Sequence, residues 1–177
     1  MLARDGVDVD GVVLLSGPSV GILEIMREQA RAMGTPADQI EVLDEVVDRI
    51  RRDVPIEAEL KARVKGPFGA GALVNFPPDA LRYMRDVDAT DPVAAIANYP
   101  KPVLIVQGGA DTSVPTHHAE ALRKGRGARP TEYAFFPELT HMYKNVPAHV
   151  SPQENFGYPG PTDARVDEAI AAWMQRL

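Results

Sequence analysis

The feature that most restricts what this chain can fold into is the run Lys101-Pro102-Val103-Leu104-Ile105-Val106-Gln107-Gly108-Gly109. Four aliphatic residues in succession leave neither face of a strand suited to water, so the strand belongs inside a sheet covered on both sides. Proline at its entry and paired glycines at its exit hold it to strand length. Burial on both faces is typical of parallel sheets in α/β proteins, where the strands are joined by helical crossovers.

The rest of the chain supplies such partners. Gly11 to Gly17 reads as a second strand, also expected to be buried on both faces, and Thr131 to Phe136 as a third. Helical spacing of apolar residues predicts helices from Ile22 to Gly34, from Ala37 to Asp53 and from Ile56 to Val64. On the second of these, i,i+4 ion pairs such as Glu45 with Arg49 are expected. Gly66 to Gly71 reads as a flexible break, and Pro77-Pro78 opens a further short helix through Leu81 and Met84. His118 to Gly125 is a helix, and Val166 to Leu177 closes the chain as an amphipathic helix carrying Ile170 and Trp173. The order predicts an α/β fold of right-handed βαβ units, with a core over 1–21 and 99–177 and a helical insertion over 22–98.

Composition narrows the function classes. With 177 residues, 45% hydrophobic and 25% charged, the chain is long enough for one globular core and too apolar for a disordered one. A formal charge of −6 without a clustered basic face argues against a nucleic-acid partner. No run approaches the length of a membrane span, and the absence of cysteine excludes disulfides and Cys-ligated zinc. The first residues lack the apolar core of a signal peptide, so a cytoplasmic location is expected. There is no internal repeat or heptad register.

In parallel α/β sheets, ligands gather beyond the C-terminal ends of the strands. Two such ends carry groups suited to acid–base chemistry. After the first strand described, Gly108-Gly109-Ala110-Asp111 brings a carboxylate to the rim, and a carboxylate there can orient an imidazole. After the third, Phe136-Pro137-Glu138-Leu139-Thr140-His141 delivers that imidazole, which can take and return a proton near neutral pH. Asp111 also fits a simple turn-closing or helix-capping role, and His141 a structural one.

An acid after one strand and a histidine after the next is the order of the last two triad members in α/β-hydrolases. The segments Lys-Pro-Val-Leu-Ile-Val-Gln-Gly-Gly-Ala-Asp-Thr-Ser-Val-Pro and Phe-Pro-Glu-Leu-Thr-His-Met-Tyr-Lys resemble the seventh and eighth strands of that family. Leu14-Leu15-Ser16-Gly17-Pro18 is similar to its sixth strand, and Gly157-Tyr158-Pro159-Gly160 to the approach to its final helix. The chain most resembles the C-terminal portion of α/β-hydrolase-fold serine esterases of the dienelactone-hydrolase and serine-aminopeptidase-like group. The resemblance implies a partial hydrolase fold, a short parallel sheet flanked by helices with an inserted helical cap. It also implies a small-molecule carboxylic ester as substrate of the intact parent, Asp111 as triad acid and His141 as base. Met33, Phe68, Phe76 and Met84 then become candidates to line an acyl pocket beneath the cap, although core packing explains them equally well.

The nucleophile is the open point. Gly17-Pro18-Ser19-Val20-Gly21 matches the Gly-x-Ser-x-Gly elbow, follows a strand, precedes a helix and gives the family's chain order. Yet only Met1 to Asp10 precede the strand, too few for the flanking strands that an elbow strand requires. With the strand taken as the sixth, Leu2 to Asp5 ends the nucleophile's helix, and the elbow and oxyanion hole lie before Met1. The chain alone is then expected to be inactive, because triad members act as a unit. Ser19 as the nucleophile of a self-sufficient hydrolase is the alternative. A non-catalytic module that self-associates through the sheet edge beside Val12 to Leu15 is another.

No cofactor or metal is expected. His117 and His118 diverge around a helix and lack an evident third ligand, so surface or capping roles are expected for them. Gly66 to Gly71 lacks the Lys-Ser or Lys-Thr of a phosphate loop.

Overall fold

The computed structural model describes residues 8–147 and 157–177. The expected helix tail at Leu2 to Asp5 lies outside them. Along the chain run β1 (Val12–Leu15), α1 (Ile22–Ala32), α2 (Ala37–Arg51), α3 (Ala58–Arg63), α4 (Ala70–Val74), α5 (Pro78–Asp88), α6 (Pro92–Asn98), β2 (Val103–Gly108), α7 (Thr116–Arg126), β3 (Thr131–Phe136) and α8 (Ala164–Met174). The described residues of Met1–Ser19 and Asp91–Leu177 form one compact unit, and Val20–Thr90 forms another.

The first unit is built on a three-stranded parallel sheet in the order β1-β2-β3, flanked by helices. β2 is buried along its whole length, and the period-two alternation of a strand divides it between two cores. Val103 and Ile105 pack with Ile96 and Tyr99 from α6 and its end, and with Ala119 and Leu122 of α7. Leu104 and Val106 face the other way, toward Leu139, Val166 and Trp173, the last two carried by α8. The uninterrupted aliphatic run therefore has a physical cause: each face of β2 has its own helical layer.

β1 corrects the expectation of a strand buried on both faces. Val12, Val13 and Leu14 are only partly buried and Leu15 is 51% exposed. Among the described residues β1 pairs with β2 alone, so it is an edge strand, and its aliphatic composition outruns its burial.

Arg126, at the end of α7, is fully buried and bonded almost entirely to backbone. Its guanidinium donates to the carbonyls of Ile96, Tyr99, Lys101 and Pro130, and its Nε to Thr131 Oγ1. One side chain thereby ties the end of α6 to the entrances of β2 and β3.

In the second unit, α2 carries Val42, Leu43, Val46, Val47 and Ile50 into a core shared with Leu23, Ala30, Leu60 and Leu73. Two expectations change. Glu45 does not rely on Arg49 but takes the bidentate fork of Arg63 at 2.8 Å on each oxygen, while Arg49 pairs with Glu57. Gly66 to Gly71, read as a break, also holds the start of a helix. A Cβ on Gly71 would lie 2.0 Å from the Gly66 carbonyl oxygen, and α4, which the sequence reading omits, begins immediately at Ala70.

Candidate active site

The loop after β2 and the loop after β3 are laced together by backbone bonds. Gly109 N–H donates to the Phe136 carbonyl at 2.8 Å and Ala110 N–H to the Leu139 carbonyl at 3.0 Å. The two glycines are needed for this approach rather than for a special backbone angle. A Cβ at Gly108 would lie 2.2 Å from the Leu139 oxygen, and one at Gly109 2.4 Å from the Pro137 oxygen. Side chains at either position would push the histidine loop away from the aspartate loop.

Within that junction Asp111 and His141 meet, with Nδ1 of the imidazole 2.9 Å from Oδ2 of the carboxylate. The Asp111 side chain is wholly buried and His141 is 30% exposed. Oδ1 of Asp111 accepts the backbone N–H groups of Ser113 at 2.9 Å and Val114 at 2.8 Å, while Gln107 Nε2 approaches Oδ2 at 3.4 Å. The turn-closing and histidine-orienting roles coexist, one carboxylate oxygen serving each.

A carboxylate only accepts, so in this contact Nδ1 is the donor, which in the neutral ring leaves the basic lone pair on Nε2. The hydrogen bond to Asp111, with its negative charge adding to it, raises the imidazole above its usual pKa, against the opposing effect of burial. The arrangement holds a base of defined tautomer at the C-terminal rim of a parallel sheet.

The turn carrying His141 is closed on itself. Thr140 N–H donates to the Lys144 carbonyl at 3.1 Å, and Tyr143 N–H to the Thr140 carbonyl at 2.9 Å. Tyr143 reaches across to β1 and β2: Ser16 Oγ donates to its hydroxyl at 3.0 Å, and that hydroxyl donates to the Val106 carbonyl at 3.0 Å. Sequence reasoning passes over both residues. They stand 127 positions apart, and no spacing rule joins them.

Ser19 has a different partner. Its backbone N–H and its hydroxyl both lie against His118 Nδ1, at 3.2 and 2.9 Å. Since Nδ1 receives an N–H, His118 is the neutral Nε2–H tautomer there. This corrects the surface role expected for His118, which is fully buried at the first turn of α7, although its neighbour His117 is exposed.

Of the residues suggested for an acyl pocket, Met33 and Phe68 are exposed and Met84 packs on the core of the helical unit. Phe76 lines a cavity of about 410 Å³ in that unit with Ile50, Val54, Ile56 and Leu81. Among the described residues, no helix is long and apolar enough to cross a membrane.

No family model matches the chain, and no curated protein does. Among solved structures, the chain is similar to a hydrolase from Pseudomonas aeruginosa PA01 at a TM-score of 0.37 and 18% identity, over 77% of this chain and 52% of that one. The chain thus spans about half the length of that hydrolase.

Proposed function

We propose that this chain supplies the acid and base of a serine-type carboxylic-ester hydrolase, with Asp111 orienting His141 and the nucleophile and oxyanion donors contributed by an upstream segment. The observation that carries the reading is the 2.9 Å bond between His141 Nδ1 and a carboxylate that is wholly buried and further held by two backbone N–H groups. A buried acceptor of that kind is what fixes an imidazole's tautomer for proton transfer.

In the proposed reaction, His141 Nε2 takes the proton of a serine hydroxyl as its oxygen attacks the ester carbonyl, then returns it to the departing alcohol. Water repeats the cycle on the acyl-enzyme. Asp111 keeps its bond to Nδ1 and stabilises the imidazolium that forms. The helical unit over 20–90 is the candidate cap.

The test is hydrolysis of a nitrophenyl ester by the protein extended with its upstream segment, beside the chain alone. We expect turnover only in the extended protein and its loss in His141→Ala, by about 10³-fold or more. Undiminished turnover in the variant removes the reading.

A second reading has an observation of its own. Ser19 in its Gly-x-Ser-x-Gly setting lies 2.9 Å from a histidine nitrogen that acts as an acceptor, which is the contact an activated hydroxyl needs. Here the chain is a small hydrolase using Ser19 and His118. Labelling of Ser19 by a fluorophosphonate, lost in His118→Ala and kept in His141→Ala, is its signature; folded protein that takes no label rules it out.

A further inference from the structure

We propose that Tyr143 is a positioning residue for His141, its hydroxyl pinning the histidine-bearing turn to the ends of β1 and β2. The proposal rests on Asp111 and His141 being the acid–base pair.

Backbone geometry supplies the first argument. Among the described residues, three other than glycine have φ in the left-handed region: Ser16 at 44°, Asp53 at 56° and Tyr143 at 52°. Side chains with a Cβ disfavour that region, so such residues persist where surrounding bonds hold them. Two of the three are bonded to each other, hydroxyl to hydroxyl, at 3.0 Å.

The bonds around them form a closed set. Val106, near the end of β2, offers its carbonyl to the Tyr143 hydroxyl and to the Ser16 N–H, both at 3.0 Å. The Tyr143 backbone is held as well, its N–H on the Thr140 carbonyl and its carbonyl receiving the Asp163 N–H, both at 2.9 Å. His141 lies inside the span 140–144 that these contacts fasten. The imidazole has one direction in which to meet Asp111, and the turn bearing it is set by where the Tyr143 side chain ends.

Electrostatics agrees with the geometry. Burial pushes the Tyr143 hydroxyl up to about 12, and the nearby Asp111 charge adds to the rise. The hydroxyl therefore stays protonated while His141 titrates, and acts as a hydrogen-bonded strut rather than a proton carrier. Tyr143 belongs to the buried cluster of Leu104, Val106, Leu139, Val166 and Trp173, so phenylalanine can keep the apolar burial and delete only the strut.

The experiment is an NMR titration of the His141 ring in the chain as it stands, with His141→Gln assigning the resonance, on wild type, Asp111→Asn, Tyr143→Phe and Ser16→Ala. We expect Asp111→Asn to remove the elevation of the His141 pKa. Tyr143→Phe should lower it by about half a unit or more, as the contact with Asp111 loosens. Ser16→Ala should move it the same way by less. A merely structural Tyr143 would lower thermal stability and leave the His141 titration where it was. An unchanged titration in Tyr143→Phe, beside a shifted one in Asp111→Asn, overturns the positioning role and leaves the acid–base pair standing. An unchanged titration in Asp111→Asn overturns both. If Tyr143→Phe does not fold, Ser16→Ala decides, a downward shift supporting the proposal and no shift overturning it.

Discussion

At the residue scale, the proposed chemistry rests on how one carboxylate distributes its two oxygens. Oδ1 holds the turn through Ser113 and Val114, and Oδ2 holds the imidazole, so Asp111→Asn disturbs both the loop and the base. The pH dependence follows from the sign of the shift. His141 is raised by its bond to Asp111, so its protonated form favours the fold. That contribution is complete below the unfolded value near 6.5 and fades as pH rises through the elevated folded value. Urea unfolding across neutral pH is expected to show this loss in wild type and a flatter profile in His141→Gln. Tyr143 acts in the alkaline range. Its hydroxyl is pushed from 10 to about 12, so the folded state resists ionisation that the unfolded chain accepts. Stability on the order of 2–3 kcal/mol is expected to disappear between about pH 10 and 12, and Tyr143→Phe should abolish that step in an alkaline melt.

At the element scale, the ends of β2 explain why the site can form. Its C-terminal glycines admit the loop after β3 to within backbone contact, which side chains would prevent. Gly109→Ala is expected to cost about 1–3 kcal/mol and to broaden the His141 resonance, since the colliding atom is backbone and cannot swing aside. At the other end, Arg126 gathers carbonyls from α6, the entrance to β2 and the approach to β3. Arg126→Met should destabilise the protein by roughly 3 kcal/mol or more in chemical denaturation, because it removes charge-assisted bonds to four carbonyls and takes from Tyr99 and Lys101 the side-chain donor that their carbonyls have. Much of this scale is legible in the sequence. The aliphatic run of β2, the span of β3 and the proline pair opening α5 are local signals, and the structure follows them, whereas α6 is not read from sequence as a separate helix. Arg126 is not legible. A basic residue in the last turn of a helix reads as surface, and only the fold shows the carbonyls that converge on it.

At the scale of the whole molecule, sequence pattern conveys layers better than exposure. Period-two and 3.6-residue patterns separate strands from helices, yet α6, read as part of the insertion over 22–98, lies in the same compact unit as the sheet. Sequence pattern gives β1 the same aliphatic character as β2, although β1 lies at the sheet edge. An edge of that kind is expected to associate with other strands. Light scattering on the chain should show concentration-dependent self-association that Leu15→Lys reduces. The site divides in the same way. That Asp111 and His141 meet is legible because each follows one of two consecutive strands that pair in the sheet, whereas Ser16, Tyr143 and the Ser19–His118 contact depend on pairings between distant segments. The most direct test of the account is the tautomer of the His141 ring, read from its two nitrogen chemical shifts at a pH above its elevated pKa. A neutral ring protonated on Nδ1, and converted toward a mixture by Asp111→Asn, is the predicted result. A ring protonated on Nε2 in wild type would contradict it, because no base would then face a serine hydroxyl.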